Sequence, residues 1–445
     1  MRNFLAVTAA ACLMMSGAAC GKEKVFSIEK DDLGPIYRVD MNKVKTASDL
    51  ASVPGVKIAW KLGGEGSWLG KAGDFDSDGK VDLICGVHKD GAQRIVRFAS
   101  DGRRVWTTDK VGGGLGGESG LAVRDLDGDG KCEVVFNVAR QLWCLDASTG
   151  KTNWMIDLPH CRDNYQMSVV GRFGDRKRLR VVCRVNADMT CYDHAGKKIW
   201  HYRITHRNLY GHDMVSFDAD GDGLDEIYLS LIGRFLAISG EGKLLWEDKK
   251  CPNHSDFILL GDIDGDGDKD VVYDRNGCTA KRGPIVCVNP SGEVQRTWLY
   301  ARLGKDHLQR GTLGDFIPSR KGVELAAVGK RRGQGGLVVW GGAGKPIWSK
   351  DIAAGWITCG DWDGDKACDM MVTMEGGWQV WTGAGKRIYA IAGIGGIPLD
   401  IESAGRRRPD IDGNGKADAL ISVGSGCMVL MEAPSAKWGR GGVSR

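Results

Sequence analysis

After its first twenty residues the sequence has no apolar run of the roughly 18 residues a helix needs to cross a bilayer, so only the amino terminus is expected to meet a membrane. Proline is scarce, 11 residues against 66 glycines in a chain of 445, a balance that favours tight turns over disordered segments. An excess of one charge is missing too: the formal net charge is +4, which makes no case for a nucleic-acid partner. There is no CxxC and no adjacent cysteine pair, so zinc and thioredoxin-like chemistry lack their ligand pattern. No stretch carries the apolar periodicity of an amphipathic helix.

What the sequence does have is a repeated acidic loop. Residues 262–270 read DIDGDGDKD, which puts carboxylates at the first, third, fifth and ninth places (Asp262, Asp264, Asp266, Asp270) and Gly267 at the sixth. A hard cation such as Ca²⁺ takes six to eight oxygen ligands, and alternating Asp residues on a tight turn can aim their oxygens at one point. The pattern recurs as Asp74, Asp76, Asp78, Asp82; as Asp125, Asp127, Asp129, Glu133; and as Asp218, Asp220, Asp222, Glu226. In Asp361, Asp363, Asp365, Asp369 the glycine gives way to Lys366, and in Asp410, Asp412, Asn414, Asp418 an amide replaces one carboxylate. An EF-hand opens in the same way but needs a bidentate Glu at the twelfth place, where the four complete copies carry Cys85, Phe136, Leu229 and Tyr273. Strand-like runs follow instead: VDLICGV, CEVVFNV, DEIYLSL and KDVVYDR.

Two wide gaps in the spacing of the loops each hold a degenerate copy, VVGRFGDRKRLRVV around Arg172 and GTLGDFIPSRKGVEL around Asp315. In the first of these, basic residues stand ready to hold the turn as a cation does elsewhere. The count becomes eight units of about 48 residues. A second series interleaves with it, strand ends at Trp60, Trp106, Trp154, Trp200, Trp246, Trp298, Trp348 and Tyr389. Its first member precedes the first loop and none follows the last, so the strand around Trp60 can complete the final unit. The expected fold is therefore all-β: an eight-bladed β-propeller of four-stranded blades with DxDxDGxxD loops, its ring closed by the N-terminal strand.

On this reading residues 1–20 are a signal peptide, 21–54 a tether and lead-in, 55–432 the propeller and 433–445 a C-terminal tail. Residues 1–20 combine a basic start, an apolar stretch and SGAA before Cys20, as in a lipoprotein signal, so the mature chain is exported and either lipid-anchored to a bacterial membrane or secreted. Outside Cys12 and Cys20 twelve of the 14 cysteines remain, with Cys183 and Cys191, Cys278 and Cys287, Cys132 and Cys144, and Cys359 and Cys368 at spacings a hairpin could bridge. They are disulfides or small buried hydrophobes.

Side chains opening the strand before each loop would lie at the opposite end of the sheets. His254 and His307 stand eight places before their loops, His212 six, and Asn164 holds the matching place in the third unit. Arg162, Tyr165, Tyr210, Lys305 and Arg310 surround them, with Trp68, Glu118 and Trp356 from other units completing the rim. The bland alternative is that these residues brace one blade against the next.

The loops and their flanks resemble the FG-GAP or VCBS class of calcium-loop propellers over residues 55–432. The eight units, the GDFIPSRKGVEL variant at residues 314–325 and the GKxxW strand ends look most like the family 11 rhamnogalacturonan lyases. That resemblance implies a secreted propeller holding several structural Ca²⁺ ions and acting on a polysaccharide or surface glycan. It puts Arg310 or Arg162 on a uronate carboxylate, His254 or His307 as base with His212 beside them in the catalytic arc, and Tyr210 or Lys305 as acid. A monomer touching membrane only through a lipid anchor is expected. A non-catalytic propeller binding glycan or protein through the same rim is the alternative. LDASTGKTNW, residues 145–154, also resembles the strand ends of quinone-cofactor propellers, but the acidic loops are foreign to that group.

Overall fold

The structure is a computed structural model. It describes residues 26–398 apart from 45–48, 50–51, 62–65, 90–91, 110, 112–119, 139, 162–165, 207, 212, 252–254, 276–283, 300–309, 330–335, 343–344, 353, 375 and 395, and in addition residues 418–423 and 427–432. Eight β-sheets follow one another along the described chain. Sheets 1 to 6 are four-stranded antiparallel meanders within residues 66–107, 121–157, 166–203, 214–248, 258–298 and 310–350. Sheet 7, residues 356–392, is widened to six strands by a hairpin of Phe26–Asp31 and Gly34–Val39, the latter running parallel to Arg387–Ala392. Sheet 8 draws Gly396–Pro398, Asp418–Val423 and Cys427–Glu432 from one end of the chain and Val56–Lys61 from the other. The first strands of successive sheets touch in order from sheet 1 to sheet 8, and Asp418–Val423 touches the first strand of sheet 1. This is a β-propeller. The hairpin lies in the stretch expected to be only a tether and lead-in; its first strand is mostly exposed, and the hairpin is ordered by pairing with a distant part of the chain.

Strand composition follows from position in the sheet. The second strand is covered by a neighbouring sheet on each face, so it reads as a continuous apolar run rather than an alternation. In Glu226–Leu231 of sheet 4 every residue is buried. Ile227, Leu229 and Leu231 pack with Met167, Val182 and Met189 of sheet 3, while Tyr228 packs with Val271 and Tyr273 of sheet 5. The fourth strand is the outer edge, and Thr152–Asp157 alternates between half-buried and exposed residues.

The recurring tryptophan at that edge fastens each sheet to the next. The indole nitrogens of Trp106, Trp154, Trp200, Trp246 and Trp348 donate to the carbonyls of Ala147, His194, Gly240, Pro290 and Gly383 at 2.9, 2.8, 2.9, 2.9 and 2.7 Å. Each ring lies against a turn glycine of the following sheet. At Gly242, for example, φ is +80° and a Cβ would come within 2.7 Å of the Trp200 ring. The glycine is required twice over, for its left-handed backbone and for its missing side chain. Tyr389 repeats the contact from sheet 7, its hydroxyl donating to Pro54 O at 2.8 Å beside Gly55.

Alternation along the strands also sorts the cysteines. Cys191 pairs across the ladder with Val182 and Cys183 with Thr190, so the two thiols point to opposite faces of sheet 3 and join different core clusters. Cys132 and Cys144 likewise belong to different clusters on opposite faces of sheet 2. These two pairings are excluded, and Cys278 lies outside the described residues. Cys359 and Cys368 pack on one cluster with their thiols hydrogen-bonded to one another. Oxidation by a disulfide-exchange reagent should therefore join Cys359 to Cys368 and leave Cys132, Cys144, Cys183 and Cys191 open to alkylation after unfolding. Peptide mapping without reductant reads this, and a Cys183 to Cys191 crosslink would refute the strand parity.

Candidate functional site

The acidic loops join the first and second strands of their sheets, and the first carboxylate organises each turn. Asp125 accepts the amides of Gly128 and Gly130 at 2.7 and 2.9 Å, and Asp361 accepts those of Gly364 and Lys366 at 2.7 and 3.0 Å. The sixth residue must then adopt a left-handed backbone, with φ of 80° at Gly79, 87° at Gly130 and Gly223, and 105° at Gly267. Lys366 takes the same conformation at 76° without being glycine, and so stores local strain.

These turns gather the carboxylates. Oxygens of Asp74, Asp76 and Asp78, of Asp125, Asp127 and Asp129, of Asp262, Asp264 and Asp266, and of Asp361, Asp363 and Asp365 lie within 4.8 Å of one another in each loop, as do those of Asp218, Asp220 and Glu226. In the last cluster Asp218 Oδ1 is buried with no hydrogen-bond partner, which suits a hard cation and little else. Asp222 stands outside that cluster and pairs with Arg176 of sheet 3 at 3.6 Å.

The ninth residue sits deepest. Glu133, Glu226 and Asp369 accept the amide of their loop's second residue, from Leu126, Ala219 and Trp362 at 2.8, 2.9 and 2.9 Å. Asp270 does so from Ile263 at 3.3 Å. Burial, with the neighbouring carboxylates adding to it, pushes Glu133 and Glu226 up to about 7 and Asp369 up to about 8. In the first loop Asp82 faces Arg97 instead.

The two degenerate loops are held without an acidic cluster. Arg180, at the ninth place of the loop in sheet 3, donates to Phe173 O at 2.7 Å and pairs with Asp175 at 3.6 Å, so a guanidinium does tie this turn. In sheet 6, Glu324 accepts the amides of Phe316 and Ile317 at 3.0 and 3.1 Å. Asp410, Asp412 and Asn414 lie outside the described residues, and the side chain of Asp418 is not described.

At the opposite end of the sheets Arg310 opens the first strand of sheet 6 and Trp356 that of sheet 7. The guanidinium lies 4.3 Å from the centre of the Trp356 ring, and its Nη1 donates to Asp256 O of sheet 5 at 2.8 Å. Three sheets thus fix one cation in orientation. Tyr210, ahead of the first strand of sheet 4, is half-buried, with its amide donating to Asn208 Oδ1 at 3.1 Å. His212, His254, His307, Lys305, Arg162, Asn164, Tyr165 and Glu118 lie outside the described residues, and Trp68 is placed by its backbone only.

A further group at this end escaped the sequence reading. The fifth residue of the second strand is polar in several sheets; in sheets 2, 3 and 4 it bonds toward the next sheet, and in sheet 5 it holds the segment that enters its own first strand. Asn137 donates to Gln166 O at 3.1 Å and accepts from Ser168 at 2.9 Å. Arg184 reaches Leu209 O, and Ser230 reaches Ser255 O at 3.4 Å. Asp274 accepts Ser255 Oγ and the Asp256 amide, both at 2.7 Å. A single polar residue at a fixed place in an apolar strand was the available signal.

An FG-GAP-like repeat model matches residues 74–136. No curated protein matches the chain by sequence. Among solved structures the chain is similar to the rhamnogalacturonan lyase YesW (18% identity, TM-score 0.58, 83% of this chain and 73% of that one). It is similar to the Bacillus licheniformis rhamnogalacturonan lyase PL11 (17%, 0.61, 83% and 72%) and to the V. cholerae biofilm matrix protein Bap1 (13%, 0.56, 85% and 91%). At these identities the likeness establishes a propeller.

Carboxyls with raised pKa stabilise the fold while protonated and cease to do so once they ionise. Without cation, the protein should therefore lose stability as pH climbs from about 5 through the values near 7 and 8 of Glu133, Glu226 and Asp369. Added divalent cation should abolish that loss, because it replaces the proton as counter-charge. Melting curves at both ends of the range, in chelator and in added cation, measure it. A cation-free melting temperature that holds steady or rises with pH overturns the assignment.

Proposed function

We propose that the chain is an exported, calcium-binding propeller of eight blades that acts on a uronic-acid-containing, rhamnogalacturonan-like polysaccharide by β-elimination at the end of the sheets opposite the acidic loops. In this reading Val56–Lys61 completes the eighth blade and closes the ring, which the contact of Tyr389 with Pro54 supports because it repeats the tryptophan contacts between earlier sheets. Calcium would be held by the carboxylates of the acidic loops, supplying the counter-charge that lets them stay ionised inside a tight turn. Export, through the lipoprotein-type segment ending at Cys20, belongs to the same proposal, as does a monomer without a nucleic-acid partner.

The observation that carries the activity is Arg310 laid over Trp356 and anchored on Asp256 O. A lyase acting on a uronate must neutralise the carboxylate, take the proton at C5 and assist the departing oxygen. A guanidinium already held flat spends little conformational entropy when it grips a planar carboxylate at two points. His254 and His307, with His212, are the proposed bases, and Tyr210 or Lys305 the acid. Arg162, Asn164, Tyr165, Trp68, Glu118 and Trp356 are the proposed substrate contacts.

A second reading, a non-catalytic surface propeller that binds glycan or protein there, draws on a different observation. Asn137, Ser168, Ser230, Ser255 and Asp274 bond to one another or to neighbouring backbone as struts, as the bracing of one blade against the next would require.

The two readings part on product chemistry, since a lyase leaves a C4 to C5 double bond, conjugated with the carboxylate, that absorbs in the ultraviolet. Incubation with a panel of pectic and other uronate polymers should generate that absorbance. Arg310→Lys should lower turnover by about 10²- to 10³-fold, as for a lost charge stabiliser, with the melting temperature nearly unchanged. Retention on an immobilised polymer without absorbance from any member of the panel would replace the lyase reading by the binding one.

A further inference from the structure

The first acidic loop has the full DxDxDGxxD pattern, yet a side chain from elsewhere already fills it with positive charge. Arg97, on the third strand of sheet 1, is only 2% exposed. Its Nε donates to Asp82 Oδ2 at 3.0 Å, its Nη2 bridges Asp82 and Asp76, and its Nη1 donates to Ser148 O of sheet 2 at 3.1 Å. The remaining Asp82 oxygen accepts the Ser100 amide at 3.1 Å. Both oxygens of the ninth residue and one of the third are therefore committed before any ion arrives.

No other described acidic loop has this arrangement. Arg97 pairs across the ladder with Ile84, two places past the ninth residue. The matching positions in sheets 2, 4, 5 and 7 are Cys144, Ala237, Cys287 and Val380, none of which can bring charge. Arg296 touches Asp264 of the fifth loop at 3.2 Å, but it is 26% exposed and leaves Asp270 to the Ile263 amide.

We propose that Arg97 is the resident cation of the first loop, and that this loop holds no calcium while the loops of sheets 2, 4, 5 and 7 do. The proposal rests on the calcium reading above. A divalent ion among Asp74, Asp76 and Asp78 would sit a few Å from a guanidinium, at strong like-charge cost. The arginine cannot swing out of the way without abandoning Ser148 and leaving buried Asp82 unpaired. The same contact ties sheet 1 to sheet 2, so the fixed cation also fastens a sheet boundary.

The test is the number of calcium ions bound per full-length chain, measured by equilibrium dialysis and elemental analysis. Asp74→Asn with Asp78→Asn should leave the wild-type number unchanged, whereas Asp125→Asn with Asp129→Asn should lower it by one. Arg97→Gln should raise it by one, since it vacates the loop but keeps its carboxylates. Loss of an ion in the Asp74 and Asp78 variant overturns the proposal, and it decides the matter alone if Arg97→Gln does not fold. A wild type that binds no calcium overturns the broader calcium reading instead. In that event the proposal is judged by Arg97→Gln, which must melt lower than wild type and be restored by calcium; failure to be restored overturns it.

Discussion

Carboxylates crowded into the turn between the first and second strands set the main electrostatic constraint on this molecule. Each turn needs a counter-charge, and the turns are bonded to one another. The Leu179 amide donates to Leu126 O at 2.9 Å, Val323 to Asp262 O at 2.9 Å, and Cys368 to Asp315 O at 2.8 Å. A loop that opened for want of counter-charge would loosen the loop beside it as well. This explains why the two degenerate loops keep the turn after losing the cluster. Arg180 in sheet 3 and Glu324 in sheet 6 hold it by hydrogen bonds to backbone groups, and so preserve the contacts to their neighbours.

Much of the fold was legible because it depends on period and spacing. The loop pattern, the strand runs after it and the edge aromatics each carry one structural constraint repeated many times, and the sheets appear where those patterns place them. The hairpin of Phe26–Asp31 and Gly34–Val39 was not legible, because its order comes from pairing with a distant strand and from Asp31 meeting Arg387, not from a local pattern. The cysteine pairs failed for a related reason. Spacing along the chain says when two strands can pair, but the face each thiol occupies depends on ladder register, which separated Cys183 from Cys191. Arg97 was hidden in the same way, since nothing in RIVRF says that its fourth residue crosses to a loop twenty residues earlier. At the far end of the sheets the sequence singled out Arg310 and Trp356, but their stacking joins two sheets and was beyond a reading of either strand.

The two ends of the sheets have different physical tasks. At the loop end, ionised or partly ionised groups are fixed by many backbone amides, and the buried ninth residues make that end responsive to protons and cations. At the other end, neutral struts such as Asn137 with Ser168 and Ser230 with Ser255 join the sheets without depending on either. Arg310 itself rests on Asp256, whose amide is held by the buried Asp274 carboxyl at 2.7 Å, so the frame beside it combines neutral struts with an acidic one.

The seam between sheets 7 and 8 carries the heaviest investment of chain. The boundaries after sheets 1 to 6 are each crossed by a connection between consecutive sheets and by an edge tryptophan on a turn, and this one has a connection and Tyr389 in the same roles, but sheet 8 also takes its outer strand from the other end of the chain. Residues 26–61 serve this boundary twice. The hairpin adds to the edge of sheet 7, with Asp31 accepting from Arg387 at 2.8 Å, and the segment then passes Pro54 under the Tyr389 hydroxyl before Val56–Lys61 pairs with Cys427–Glu432. Hairpin and strand are one continuous segment, so separating sheet 8 from sheet 7 requires breaking a ladder on one side or the other. The boundary between sheets 7 and 8 thus keeps the ordinary short connection from Arg387–Ala392 to Gly396–Pro398 and the edge tyrosine, and adds to them a ladder on each side supplied by the other end of the chain.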